Sequence, residues 1–212
     1  MKFFITGTDT GVGKTLVTAL IAADLESRGL EPVALKPVCC GDRADALALH
    51  SACGGRLPLE DVNPFWFEEP VAPEVAARAS GNFARVEDLM TWFRRITAGR
   101  EHVLVEGAGG WMVPSAPGET LADFASATGL PVLIVVLNRL GCLNHALLTL
   151  DQVRRRGLPF AGFVLNDATA PSDDASRDSN ASALERTSGE RVLFYLEHGA
   201  NELPPGAMEA LA

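Results

Sequence analysis

The sequence predicts a three-layer α/β/α sandwich built on a mostly parallel sheet. Three observations carry that expectation. Apolar stretches of strand length alternate with helical patterns along the chain, several of those stretches are apolar almost without interruption, and the first runs into a glycine-containing loop that opens a helix. Runs such as VLIVVL (132–137) and FAGFVL (160–165) suit strands covered on both faces, as in a parallel sheet. Strand–helix alternation calls for right-handed crossovers that place helices on both sides of that sheet.

Strands are expected over 2–7, 32–36, 102–106, 131–137, 159–165 and 191–195, and helices over 14–28, 43–53, 84–98, 119–128, 144–157 and 176–187. The first strand contains Phe3-Phe4-Ile5; the helix after it repeats Leu16, Ala19, Leu20 and Ala23 at i, i+3, i+4 and i+7. The second strand stops at Lys36 because Pro37 holds the preceding residue extended. Asp45 stands in the first turn of the next helix, where an acid suits the helix dipole. Residues 54–82 carry Pro58, Pro64, Pro70 and Pro73 without a period, and read as an irregular excursion over the carboxyl edge of the sheet. The third strand ends in Glu106, followed by Gly107-Ala108-Gly109-Gly110-Trp111. The fourth leads to Gly141-Cys142-Leu143-Asn144 at a helix start, and the fifth ends in Asn166-Asp167. Residues 167–183 are rich in Asp, Ser and Ala, a composition that specifies order weakly. At 212 residues the chain suits one domain, 1–212, and is short for two.

Bulk properties narrow the function. A net charge of −9, with only Arg154-Arg155-Arg156 as a basic run, argues against a nucleic-acid partner. No apolar run approaches the roughly 18–20 residues that span a bilayer. The amino-terminal residues enter a strand directly and do not resemble a leader, so a membrane partner is not expected. Cys39, Cys40, Cys53 and Cys142 have neither disulfide-framework nor metal-ligand spacing, which suits reduced thiols in a cytoplasm.

The chemistry concentrates at strand ends, where a doubly wound sheet binds its ligands. Residues 1–15, MKFFITGTDTGVGKT, are a strand, a phosphate-cradling loop and a helix start, the P-loop arrangement. Loop N–H groups and the helix dipole converge on one spot, where Lys14 can reach outer phosphates and the Thr15 hydroxyl can ligate Mg²⁺ carried by ATP. The loop is a variant, since Thr8 stands where the common pattern has its first glycine, with Gly7 one residue earlier. Lys2, Lys14 and Lys36 are the three lysines of the chain, and Lys36, at a strand end, is expected to project into the same site as Lys14. Glu106 is expected to hold Mg²⁺ or its water shell, a role more often given to Asp. Blander readings stand beside each: a solvated surface lysine for Lys36, a helix-capping or exposed acid for Glu106, a dipole-suited acid for Asp45, a turn for Asn166-Asp167, and plain helix capping by Asn144. His50, His102, His145 and His198 are scattered and suggest no catalytic constellation.

Taken together the chain resembles the dethiobiotin synthetase family. The likeness rests on TGTDTGVGKT (6–15), LKPV (35–38), DALAL (45–49), VNPFWF (62–67), Glu69–Pro73, VLVEGAGGW (103–111), LPVLIVV (130–136), LGCLNHALLT (140–149) and Asn166-Asp167, in order over about residues 1–167. Both the variant P-loop and the Glu after the third strand are normal in that family. The resemblance implies a P-loop NTPase-like fold and an ATP-dependent cyclo-ligase that carboxylates 7,8-diaminononanoate with CO₂ and closes the ring to dethiobiotin. It implies Lys14 and Lys36 as catalytic groups and Mg²⁺ held by Thr15, Asp45 and Glu106. Nucleotide contacts are implied for Gly11, Val12, Gly13, Lys14, Thr15, Leu16, Asp45, Glu106, Gly107, Ala108, Gly109, Asn166, Asp167 and Tyr195. Substrate contacts are implied for Thr10, Lys36 and Cys40, and for Gly141, Cys142, Leu143 and Asn144 acting across a homodimer interface. Two positions depart from the family: Cys40 stands where Ser is frequent, and Leu193-Phe194-Tyr195-Leu196 replaces an Ile-Pro-Trp-Leu-like stretch on the adenine side. The competing class is a MinD/ParA-like P-loop switch. It would bring a second lysine early in the loop and a basic amphipathic tail, where this chain has Thr8, Asp9 and GAMEALA. A guanine-reading N-K-x-D is not matched by Asn138-Arg139-Leu140-Gly141.

Overall fold

The computed structural model describes residues 1–168 and 174–212. Its first half runs β1 (Lys2–Gly7), α1 (Lys14–Ser27), β2 (Val33–Leu35), β3 (Val38–Cys40), α2 (Ala44–Ala52), α3 (Leu59–Val62), β4 (Phe65–Phe67), α4 (Pro73–Ala77) and α5 (Val86–Thr97). The second runs β5 (Val103–Gly110), β6 (Pro114–Ala116), β7 (Glu119–Thr120), α6 (Leu121–Thr128), β8 (Val132–Leu137), α7 (Cys142–Arg155), β9 (Phe160–Asn166), α8 (Arg177–Ser188), β10 (Val192–Leu196) and α9 (Ala207–Ala210).

Six strands form one sheet in the order β10-β9-β8-β1-β5-β2, with every pairing parallel. Side chains alternate across it. Phe4 faces a layer containing α5, α6, α7 and α8, while Phe3 and Ile5 face α1, α2 and α9. Both faces are therefore covered, which is why these strands tolerate apolar residues at successive positions. Among the described residues the one antiparallel pairing is the short β6–β7 ribbon. The expected three-layer architecture is the observed one.

Three boundaries differ from expectation for identifiable reasons. The strand read as 32–36 ends at Leu35, and a separate strand begins at Val38 to pair in parallel with β4. Lys36 N–H donates to Val62 O (2.9 Å) and Pro37 has no N–H, so the chain leaves the main sheet there. The strand expected to stop at 106 continues through the glycines to Gly110, which pairs with Gly7 after a register shift. Helix α7 begins at Cys142 with Gly141 as its N-cap, so Asn144 lies inside the first turn and does not cap it. The excursion over 54–82 is also more ordered than its lack of period suggests, containing α3, β4 and α4. Of the stretch 167–183, residues 169–173 lie outside the described residues.

The best-defined packing unit is aromatic. Phe124 on α6 meets Phe4 (ring centroids 6.0 Å), Phe93 (6.2 Å) and Trp92 (6.5 Å), and Trp111 closes edge-on against Phe4 at 6.1 Å. Helix α6 is held at its start by Asp123, whose carboxylate accepts from Thr120 N–H at 2.8 Å, the return half of a capping box. Because Phe124 is fully buried against three aromatic rings, Phe124→Ala should lower unfolding stability by ~3–5 kcal/mol. Urea denaturation checks this, and a loss below about 1 kcal/mol would mean the site collapses without leaving a cavity.

Candidate active site

The loop between β1 and α1 lies at the carboxyl edge, next to the point where the strand order changes direction around β1. Gly13 is the N-cap of α1 with φ 95°. A Cβ there would lie 2.0 Å from Asn166 Nδ2, so both backbone sign and space demand glycine. The Asn166 amide in turn donates to Val12 O at 2.9 Å, tying the end of β9 to the loop. Lys14 is buried and donates to Asp9 O at 3.0 Å, curling its ammonium back over the loop.

Behind the loop sits a compact charge cluster. Glu106 is 0% exposed and Lys36 is 2% exposed, so the readings of Glu106 as an exposed acid and Lys36 as a surface lysine both fail. The Lys36 ammonium donates to Asp45 Oδ2 (2.7 Å), Glu106 Oε1 (2.5 Å) and Gly107 O (3.4 Å). Thr15 Oγ1 donates to the same Glu106 oxygen at 2.8 Å. Burial works against the Lys36 charge, yet Glu106 and Asp45 outweigh it and hold its pKa above the usual lysine range. Burial alone would raise Asp45, but its ion pair with Lys36 wins and holds it below the ordinary aspartate value. Burial first, and the Lys36 charge second, pull Lys14 down to about 8.

The main-chain anchor for Lys36 is a group that motif reading missed. Asn63 is buried; its Nδ2 donates to Lys36 O (2.8 Å) and Phe65 O (3.0 Å), and its Oδ1 accepts from Arg43 Nε (3.1 Å). Arg43 also lies over the Trp66 ring at 5.5 Å, and Trp66 Nε1 donates to Gly41 O at 2.7 Å. The signal was present in VNPFWF (62–67), where a polar residue sits before proline within an apolar block.

These groups open onto a cavity of about 750 Å³. Thr10, Gly11, Gly13, Lys14, Thr15, Lys36, Cys40, Asp45, Ala108 and Gly109 line it, all of them expected site residues. Val38, Cys39, Asp42, Val113, Pro114 and the Pro70–Pro73 segment complete the wall. Cys39 and Cys40 thiols are pushed up to about 11, chiefly by burial, so at neutral pH they are weak donors rather than nucleophiles. Other expected residues lie elsewhere. Val12 is buried behind the loop and Leu16 is partly exposed on α1. Asn166 and Asp167 are at the end of β9, and Asp167 N–H donates to Leu196 O at 2.9 Å. The Tyr195 hydroxyl accepts from Asn138 Nδ2 at 3.5 Å, near the start of α8. Gly141–Asn144 are not among the residues lining this cavity, although Cys142 flanks a small hollow of about 30 Å³ beside Thr8 and Asp9.

The donor set fits Mg²⁺. Thr15, Asp45 and Glu106 offer hard oxygens, and Glu106 Oε2 is buried with no hydrogen-bond partner among the described residues. No group of three His, Cys, Asp or Glu side chains capable of holding a metal occurs among the described residues. Three oxygen ligands from Thr15, Asp45 and Glu106 would leave a bound cation open to phosphate oxygens and water, the usual habit of Mg²⁺.

A parallel sheet whose first loop presents a lysine and a hydroxyl at a helix start, backed by strand-end carboxylates, defines a P-loop nucleotide-binding protein. Residues 1–200 match the family described as AAA domain. The chain is 45% identical over 199 residues to the ATP-dependent dethiobiotin synthetase of Anaeromyxobacter sp. (strain Fw109-5), covering 92% of this chain and 89% of that one. It is 41% identical over 198 residues to the ATP-dependent dethiobiotin synthetase of Akkermansia muciniphila, covering 93% and 92%. The chain belongs to the ATP-dependent dethiobiotin synthetase family. Solved structures give the fold alone: the Aquifex aeolicus MinC:MinD cell division complex aligns with TM-score 0.60 at 14% identity over 99% of this chain and 84% of that one. The Pyrococcus furiosus cell division ATPase MinD aligns with TM-score 0.59 at 19% identity, over 99% and 88%. No helix among the described residues is long and apolar enough to cross a membrane.

Lys14 sets a pH dependence whose sign is fixed. Its folded-state pKa of about 8 lies under its ordinary 10.5, so between those values the unfolded chain holds a proton that the folded chain does not. Its contribution to stability therefore rises with pH through that window. A phosphate placed beside Lys14 favours the ammonium form, so nucleotide binding near pH ~9 should take up protons. Calorimetric titrations in two buffers of different ionisation heat measure that uptake; identical apparent enthalpies would remove Lys14 from the phosphate contact.

Proposed function

We propose that residues 1–212 act as one P-loop domain that carboxylates and cyclises 7,8-diaminononanoate at the expense of ATP. The observation that carries this reading is the convergence of Lys14, Lys36, Thr15 and Asp45 on one cavity large enough for nucleotide phosphates and a small diamine, with Glu106 buried directly behind Lys36 and Thr15. One amine adds to CO₂ and gives a carbamate. A carbamate oxygen attacks the γ-phosphorus and ADP leaves, forming a carbamic–phosphoric anhydride. The second amine then attacks the carbamoyl carbon, phosphate departs, and the cyclic urea of dethiobiotin closes.

Each residue's part follows from charge and position. Loop N–H groups over Gly11–Thr15 cradle the phosphates, and Lys14 neutralises charge on the transferring group. Lys36 steadies the carbamate and the oxygens of the phosphoryl group, a purely electrostatic role of the kind that dominates phosphoryl transfer. Thr15, Asp45 and Glu106 would hold Mg²⁺, which when bound supplies further charge neutralisation on the phosphates. Thr10 and Cys40 flank the diamine, and the apolar wall of Val38, Pro70, Val71 and Val113 suits its methylene chain. Gly107, Ala108 and Gly109 keep the backbone close to the nucleotide. Asn166, Asp167 and Tyr195 are assigned to the adenine side; Asn166 supports this with a buried Oδ1 that has no hydrogen-bond partner among the described residues, suited to an exocyclic amine. A homodimer is part of the reading, with Gly141, Cys142, Leu143 and Asn144 of the partner subunit meeting the substrate carboxylate. Leu140 at 77% exposure just before that helix start, and Leu148 at 59% further along α7, support such a contact.

The switch alternative has only a fold likeness below 20% identity behind it. Following phosphate and dethiobiotin together, with ATP, bicarbonate and the diamine, separates the two: ATP consumption indifferent to the diamine would favour the switch. Lys36→Gln should lower ring closure by about two orders of magnitude or more while nucleotide binding persists; a near-normal rate would end its catalytic assignment. Glu106→Gln should shift the Mg²⁺ titration of activity to higher concentration, and an unmoved curve would count against its place in the metal site.

A further inference from the structure

Resting on that reading, we propose that Lys36 has two stations. In the ligand-free protein its ammonium serves as the resident cation of the metal site, and arrival of Mg²⁺-nucleotide displaces it toward the substrate. The argument begins with donor supply. An ammonium has three N–H donors, and Lys36 has three acceptors within reach: Asp45 Oδ2, Glu106 Oε1 and Gly107 O. All three donors face protein, so none is left for a carbamate or a phosphate. The two carboxylates it touches are the two assigned to Mg²⁺, and Thr15 Oγ1, the third assigned ligand, points at the same Glu106 oxygen.

Charge explains why the station exists. Glu106 is fully buried, and an ionised carboxylate in such a place needs a partner. Without metal, Lys36 is that partner. Once a divalent ion binds the carboxylates, the ammonium is surplus beside it and is repelled.

The pivot is also on the page. Lys36 N–H is held by Val62 O and Lys36 O by Asn63 Nδ2, so the main chain is clamped on both sides. Relocation is thus a matter of side-chain rotation alone, around a fixed base beside the cavity it already lines. The exchange makes the working position of Lys36 conditional on the metal being loaded.

The chain's three lysines allow a direct test. Side-chain ¹⁵N spectra of the protein should show a protected ammonium resonance that is absent in Lys36→Met. It should move on adding Mg²⁺ with a non-hydrolysable ATP analogue, and stay in place with the analogue and a chelator. A Lys36 resonance unmoved by the Mg²⁺ complex, while that of Lys14 shifts, overturns the proposal. Independently, Mn²⁺ binding without nucleotide, read by electron paramagnetic resonance, should tighten on the order of ten- to a hundredfold in Lys36→Met and stay weak in Lys36→Arg. Folded Lys36→Met with wild-type Mn²⁺ affinity also overturns it. If Lys36→Met does not fold, the wild-type spectra decide alone. Dethiobiotin formation by the wild-type protein reports on the proposed reaction separately, so turnover with no relocation sinks only the two-station reading.

Discussion

The buried pair between Lys36 and Glu106 is the interaction on which the rest of the site depends. Removing one member of such a pair costs about 3–5 kcal/mol, because the other charge is stranded in a low-dielectric interior. The surrounding structure is arranged to keep both members. β5 carries Glu106 to a buried position between β1 and the edge strand β2. The Lys36-Pro37 step takes the chain out of the sheet at the height of that carboxylate, and Asn63 fixes the step from behind. Exposed ion pairs such as Arg155–Asp151 contribute far less, since water and salt screen them.

From that centre the remaining parts follow in order. The helix start at Gly13 brings backbone N–H groups and Lys14 to one side, and Asp45 on α2 closes the other. The Pro70–Pro73 segment, carried by the β3–β4 pairing, forms an apolar wall opposite the charges. A charged face meets an apolar face across one cavity, an arrangement that suits the proposed substrate, which has two amines at one end and a hydrocarbon chain beyond them.

Much of this was legible in the residues. Continuous apolar runs and their alternation with 3.6-residue periods give the sheet and its layers, because burial on both faces leaves that trace in composition. Lys14, Thr15, Asp45 and Glu106 were legible because each sits at a fixed offset from a strand or helix end. Asn63 was marked only as a polar residue inside the apolar block VNPFWF; its work, to satisfy a main-chain carbonyl 27 positions away, leaves no local trace. The early start of α7 was obscured by Gly141, whose φ of 90° lets the helix begin without a side-chain cap. The double use of Glu106 by Thr15 and Lys36 is likewise a property of three elements meeting in space, visible only once they are packed.

The distribution of amines has a practical side. Lys14 and Lys36 are sequestered, whereas Lys2 is exposed at the opposite, amino-terminal end of β1 beside the N-terminal amine. Six residues of extended chain, roughly 20 Å, separate the two ends of that strand. A support too large to enter the cavity therefore couples through amines at the far edge of the sheet, and holds the molecule with that cavity turned outward to solution.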